Sequence, residues 1–249
     1  MHTDKPLGIK AYGSIPHLPG SRLGPGDHKV TDGQARICLE KARDRHDRII
    51  LQEKVDGSNV AAAKTGGVIV PLIRAGYRAV SSRFEQHRLF ANWVYENYAR
   101  FDALLNEGER LVGEWLAQAH GTRYALSHEP FVAFDLMRGQ TRAPFAEFTG
   151  RLAGCFVMPF LLHEGGPCSI ERAQLLLGRG GGHGALDGPE GAVWRVERQG
   201  KVDFLAKWVR PDKEDGCYLP EMSGGAEVWN WRPGVPPGNL RESDPARTG

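Results

Sequence analysis

Between residues 49 and 74 the apolar positions fall into three short runs, 49–55, 59–65 and 67–74, each too brief for a helix. Their Ile, Val and Ala content predicts three consecutive strands. Over 83–105 the pattern changes: Phe90, Trp93, Val94, Phe101, Leu104 and Leu105 recur at three- and four-residue steps, the apolar stripe of one long helix. Strand-like runs return at 110–116, 131–137 and 155–162, followed by a short helix at 169–177. Segments 191–197 and 201–208, joined by Gln199-Gly200, predict a hairpin. Residues 31–48 predict a helix that is polar on much of its face, while the Pro/Gly-rich first thirty residues and the glycine run 178–184 predict loops. From Pro211 onward the chain is again Pro/Gly-rich, with Trp229 and Trp231 as docking points. Strands dominate and helices are interspersed, which predicts an α+β fold of mainly antiparallel sheets with flanking helices.

Composition narrows the setting more than the chemistry. The 249 residues suffice for one large domain or two small ones, and 41% hydrophobic residues support an ordinary core. With 32 basic against 30 acidic residues the formal charge is +2, which neither demands nor excludes a nucleic-acid partner. No apolar run approaches the roughly 20 residues of a membrane span, and the first residues, Met1 to Pro6, lack an apolar secretion core. Cys38, Cys155, Cys168 and Cys217 are scattered without a Cys-x-x-Cys pair. The expectation is a cytoplasmic protein with reduced thiols and no membrane partner.

The chemistry centres on Lys54-Val55-Asp56-Gly57, placed between two apolar runs. By itself this tetrapeptide also reads as a hairpin turn with a solvated lysine. A lysine that attacks a nucleotide α-phosphate needs more: a means of losing its proton, cations for the phosphates, carboxylates at strand ends and an aromatic face for the base. Arg74, Glu114, Phe134, Glu190 and Lys207 supply these groups, each on or at the edge of a predicted strand. A strand-end charge is usually solvated and a strand phenylalanine usually core; their joint occurrence, in this order, points to a nucleotide pocket.

With these motifs the chain, from about residue 12 to residue 210, resembles the covalent nucleotidyltransferase superfamily of polynucleotide ligases and mRNA-capping guanylyltransferases. Within it the chain is most similar to ATP-dependent RNA ligases of the phage nick-sealing type. The resemblance implies that Lys54 is the adenylylated nucleophile and that Glu53 beside it belongs to the nucleotide site. It implies that Asn59 engages the adenylate and the RNA end, and that Arg74 contacts the nucleotide or the 5′-phosphate. Glu114 would bind the ribose, Phe134 stack on the purine, Glu190 organise a Mg²⁺ or Mn²⁺ ion and Lys207 hold the α-phosphate. The family's Lys-x-Lys motif is incomplete here, since Leu205 and Val209 flank Lys207. Arg210 is the candidate for the second charge, and Asp56 and Arg210 are further candidates for phosphate or RNA contacts.

The implied activity is sealing of 5′-phosphate and 3′-hydroxyl RNA ends with ATP, through a lysyl-AMP intermediate and an adenylylated RNA end. The alternatives are a DNA-ligase-like nick sealer and a degenerate domain that binds nucleotide or RNA ends. The implied partners are RNA and an end-healing kinase/phosphatase. Residues 1–210 form the expected adenylation domain and 211–249 a short tail. The 39 residues after Arg210 are too few for a C-terminal oligonucleotide-binding barrel. His17, Arg22, Arg78, Arg83 and Arg123 are secondary candidates for RNA or triphosphate contacts. Arg43, Arg45 and Arg48, interleaved with Asp44 and Asp47, read as a solvated helix face. The glycine run lacks the Gly-Lys-Ser/Thr ending of a P-loop, and the nine histidines show no metal-ligand spacing.

Overall fold

A computed structural model describes residues 5–235. Two antiparallel sheets carry the fold. Strands β1 (Asp47–Lys54), β7 (Leu161–Gly165), β8 (Gly191–Arg198) and β9 (Lys201–Val209) form one, in the order β7-β1-β8-β9. Strands β2 (Ser58–Thr65), β3 (Val68–Ile73), β4 (Glu109–Trp115), β5 (Phe131–Arg138) and β6 (Thr141–Arg142) form the other, in the order β3-β2-β4-β5-β6. The expected α+β architecture with mainly antiparallel sheets is thus present.

Side-chain alternation assigns each face. In β1, Ile49 and Leu51 turn to a core shared with α1 (Asp32–Leu39) and α5 (Ile170–Leu177), while Ile50 turns to the opposite core. That second core packs the five-stranded sheet against α2 (Glu85–Glu96), α3 (Tyr98–Leu104) and α4 (Phe145–Leu152), around Trp93, Phe101, Trp115 and Phe131. Ring centroids there lie 5.5–6.0 Å apart, within the range of favourable aromatic pairing.

β1 and β2 are not a hairpin. They follow one another in sequence yet belong to different sheets, and Val55-Asp56-Gly57 is the passage between them. Gly57 is required there by close approach: a β-carbon would lie 2.5 Å from the Trp115 carbonyl oxygen.

Several elements differ from expectation. The helix expected over 31–48 stops at Leu39; Thr31 and Gln34 form a capping box at its start. Residues 40–46 instead form a connection in which Arg43 bridges Asp47 and Asp203, and Arg198 bridges Asp44 and Asp47. The helix expected over 83–105 breaks at Asn97, whose side chain donates to the Trp93 carbonyl and ends the first segment. The strand expected over 155–162 begins only at Leu161, because Pro159 offers no N–H; Val157 makes an isolated bridge to Val132. α4 and β6 were not anticipated.

The segment after Pro211 lies on the body of the protein. Lys213 is buried, the Tyr218 N–H donates to the His120 carbonyl, and Asn230 donates to the Leu116 carbonyl. Trp229 and Trp231 pack against the aromatic core, as docking points should. Residues 236–249 of the expected tail lie outside the described residues.

Candidate active site

Lys54 is the last residue of β1, an interior strand, and pairs with Gly191 of β8, so its side chain stands at the end of a strand flanked by two others. Its Nζ lies 2.5 Å from Oε2 of Glu190, the residue just before β8. Burial pushes the lysine pKa down, but Glu190, Glu114 and Asp56 together outweigh it and raise the pKa above the ordinary value. Without a ligand, Lys54 is therefore an ammonium. Glu114 arrives from the other sheet through the Asn59–Glu114 pairing of β2 with β4. It accepts the Gly57 N–H at 3.2 Å, and burial raises its pKa to about 7, with Lys54 opposing and Glu190 adding to the shift. Burial likewise raises the Glu190 pKa against the lowering effect of Lys54.

A cleft opens above these groups, between the sheets. It is lined by Glu53, Lys54, Asn59, Arg74, Glu114, Phe134 and Lys207 among others, so seven of the expected site residues meet in one cavity. The Asn59 Oδ1 is buried without a hydrogen-bond partner. Arg74 reaches Ser14 Oγ at 3.1 Å on the wall formed by the first loop. Lys207, lowered in pKa by burial and then by Lys54, has the Asp27 carboxylate at 3.9 Å. Phe134 reaches the cleft through a backbone irregularity. Val112 pairs with Asp135 and Gly113 with Ala133, which leaves Phe134 as the extra residue of a β-bulge. Its ring meets Tyr12 edge-on at 5.2 Å.

Glu53 points to the loop that follows α5. Its Oε2 accepts the Gly182 N–H at 2.6 Å, Oε1 is buried without a partner, and burial raises its pKa to about 7. The glycine run thus packs against the site and closes on Glu53.

Three expectations are corrected. Arg210 does not line the cleft: it lies beyond the end of β9 and binds the Asp187 carbonyl at 2.7 Å and Asp212 at 3.3 Å. Asp56 faces away from solvent and is held by Lys213 at 2.6 Å and the Gly121 N–H at 2.8 Å. Among the secondary candidates, His17 is buried against Ser21 and Asp27, Arg22 pairs with Asp215 and Arg123 with Asp187. Arg78 and Arg83 stay exposed.

Two residues escaped the sequence reading. Lys213 is 1% exposed and also lies 2.5 Å from Thr122 Oγ1; Gly121 makes room for it, since a β-carbon there would stand 2.7 Å from the ammonium. Arg195 crosses from β8 to the buried Asp135 of β5, which also binds Tyr12 and Arg142. A lone arginine in the apolar run Val193-Trp194-Arg195-Val196 is a legible signal; Lys213, among polar loop residues, gives none.

Two carboxylates beside a lysine define what the site can hold. Among the described residues no group of three His, Cys, Asp or Glu side chains is arranged to hold a metal ion. Glu190 and Glu114 nevertheless suit a hard divalent cation of the Mg²⁺ class, which commonly uses one or two carboxylates and completes its shell with water and ligand phosphates.

The model of the RNA ligase family matches residues 47–209. Among solved structures, a mutant of Naegleria gruberi RNA ligase with ATP and Mn is similar with a TM-score of 0.52 at 13% identity, over 87% of this chain and 64% of that one. An archaeal ATP-dependent RNA ligase has 18% identity and a TM-score of 0.46, over 80% of this chain and 48% of that one. A putative ATP-dependent DNA ligase from Aquifex aeolicus has 16% identity and a TM-score of 0.47, over 80% and 49%. The chain thus spans about half the length of the archaeal and Aquifex proteins. No curated protein sequence matches it significantly. The Naegleria likeness is one of fold.

Proposed function

Because the chain belongs to the RNA ligase family, we propose that it is an ATP-dependent RNA ligase that works through a lysyl-AMP on Lys54. The observation that carries this reading is the placement of Lys54 between Glu190 and Glu114 on the wall of a cleft also lined by Asn59, Arg74, Phe134 and Lys207. The neighbour bound to ATP and Mn is in keeping with the ligands proposed.

In the first step the Lys54 Nζ attacks the α-phosphorus of ATP. The N–P bond forms, the bond to the bridging oxygen of pyrophosphate breaks, and the lysine proton leaves. Lys207 and Arg74 offset the phosphate charge, Glu114 accepts from the ribose and Phe134 stacks on the base. Glu53 belongs to the same nucleotide site. A bound Mg²⁺ or Mn²⁺ held by Glu190, with Glu114, would supply positive charge to the phosphates. Deprotonation of Lys54 requires that the pull of Glu190 and Glu114 on its proton be offset, which positive charge held by those carboxylates would do. In the second step a 5′-phosphate oxygen of RNA attacks the AMP phosphorus, the N–P bond breaks, and Lys54 recovers its proton. In the third, a 3′-hydroxyl attacks the 5′-phosphate, AMP leaves with the bond electrons, and the phosphodiester is complete. Such chemistry depends on positioning and charge stabilisation.

Residues 1–210 are proposed as the adenylation unit, braced by the segment that follows. An end-healing kinase/phosphatase is the proposed supplier of 5′-phosphate and 3′-hydroxyl ends, and no helix among the described residues is long and apolar enough to cross a membrane.

Incubation with ATP and Mg²⁺ or Mn²⁺, followed by intact mass spectrometry, should show one added AMP, absent in Lys54→Ala. Labelling that survives this substitution overturns the assignment. Comparison of sealing on nicked RNA and nicked DNA then tests the substrate.

A further inference from the structure

The cleft continues past Asn59, Arg74 and Glu114 into a second recess lined by Lys10, Ser14, Gly57, Ser58, Ala75 and His87. Arg74, Ala75 and His87 of its lining belong to the stretch from Arg74 to Arg88, which runs from the end of β3 into the first turn of α2 and is called the rim below. That stretch holds four arginines and one carboxylate in a chain whose formal charge is only +2. The carboxylate, Glu85, is already paired with Arg232 at 3.2 Å.

Arg43, Arg48, Arg100, Arg151 and Arg198 all form ion pairs. Lys10, Arg78, Arg83 and Arg88 are exposed and make no ion pair among the described residues. Arg36, Arg45, Arg172 and Arg179 are also exposed and form no ion pair among the described residues, but three such arginines fall together between residues 78 and 88. The rim residues are nevertheless ordered along a braced path. Arg88 donates to the Ser82 and Arg83 carbonyls at 2.9 and 2.8 Å. Arg83 lies over the Phe84 ring at 4.7 Å. Leu72 forms a bridge with Arg78, which ties the rim to β3. Gly76 sits against Ile9 and Lys10, where a β-carbon would strike the Ile9 carbonyl at 2.1 Å, so the first loop and the rim are one surface. Inside the recess, His87 is fixed between Ser58 at 2.8 Å and Ser82 at 2.7 Å.

Uncompensated cations gathered at one mouth of a nucleotide cleft, with an aromatic ring among them, have the chemistry of a phosphodiester track. We propose that Lys10, Arg78, Arg83 and Arg88 grip the phosphate backbone of the RNA strand whose end is delivered to the cleft through the recess beside Asn59. This rests on the ligase reading for the identity of the strand; the surface itself rests on the distribution of unpaired charge. Contacts of this kind fix register without reading bases, so the track is sequence-tolerant. Lys10, Arg78, Arg83 and Arg88 do not line the cleft that holds Lys54, and lysine adenylylation needs no RNA.

The test compares wild type with Arg78→Gln/Arg83→Gln/Arg88→Gln. The double variant Arg78→Gln/Arg83→Gln spares the brace made by Arg88, and Lys41→Gln/Arg172→Gln/Lys201→Gln is a control of equal charge on exposed sites elsewhere. Binding of a fluorescent 5′-phosphorylated RNA, as single strand and as nicked duplex, is followed by anisotropy over a salt series, and Lys54 labelling by ATP in parallel. The triple variant should bind at least about tenfold more weakly and lower the log–log salt slope by about two to three. The double should show about two-thirds of that slope change, and both should retain lysine labelling. Unchanged affinity and slope, an equal loss in the control, or loss of labelling in both rim variants would overturn the proposal. Failure of wild type to take up AMP would instead overturn the ligase reading, while the salt series would still judge the rim.

Discussion

The Lys54 ammonium and the Glu190 carboxylate stand 2.5 Å apart at the junction of β1 and β8, and this contact keeps the nucleophile protonated until a ligand arrives. Glu190→Gln removes the nearest negative charge but leaves the amine buried, so the lysine pKa should fall. In peptide mass spectrometry, acylation of Lys54 by a small anhydride should begin at least about one pH unit lower in the variant. Adenylylation should nevertheless be lost, because the same carboxylate would hold the cation that offsets the phosphate charge. An acylation profile identical to wild type would show that Glu190 does not hold the proton.

Lys213 and Asp56 form a buried pair whose removal should be far less harmful than its breakage. Lys213→Met leaves an uncompensated carboxylate and should cost about 3–5 kcal/mol in urea unfolding. The double variant with Asp56→Asn should recover most of that. A single variant as stable as wild type would remove Lys213 from the support of the site.

Glu53 sets a pH dependence of stability. Its folded pKa of about 7 lies above the ordinary 4.5, with burial as the cause. The protonated form is the stable one, so its contribution is complete below pH 4.5 and is lost as pH rises through 7. Across that window wild type should lose up to about 3 kcal/mol relative to Glu53→Gln. Urea unfolding of both proteins at several pH values checks this, and parallel curves would refute it.

Phe134→Ala should weaken nucleotide binding by about 1–3 kcal/mol, the usual worth of an aromatic stacked on a base, with little loss in Phe134→Trp. Fluorescence titration with a non-hydrolysable ATP analogue measures both. Equal affinity in all three proteins would place the base elsewhere.

What was legible in the sequence depended on how local the signal was. The strands around Lys54 followed from short apolar runs such as Ile49-Ile50-Leu51, whose side chains alternate between two cores in the fold. The residues that line the cleft were legible because they lie in order on or beside short apolar runs. The break at Asn97 was not, since the apolar stripe from Phe90 to Leu105 continues across it and one side-chain cap decides the ending. The bulge that presents Phe134 depends on pairing with Gly113, a partner distant in sequence. Lys213 depends on a cavity left by Gly121, which only the folded chain creates. Arg210 lies outside the cleft lining because nearness in sequence to Lys207 did not survive the end of the strand.

The passage Val55-Asp56-Gly57, which takes the chain from one sheet into the other, has a mechanical consequence. Lys54 and Glu190 ride on the four-stranded layer, while Glu114, Asn59 and Phe134 ride on the five-stranded one. Any hinge motion that widens the gap therefore carries one of the lysine's two flanking carboxylates away and leaves the other in place. The acidity of the amine becomes a gauge of jaw angle, and the readiness of the nucleophile is coupled to how tightly the two layers close.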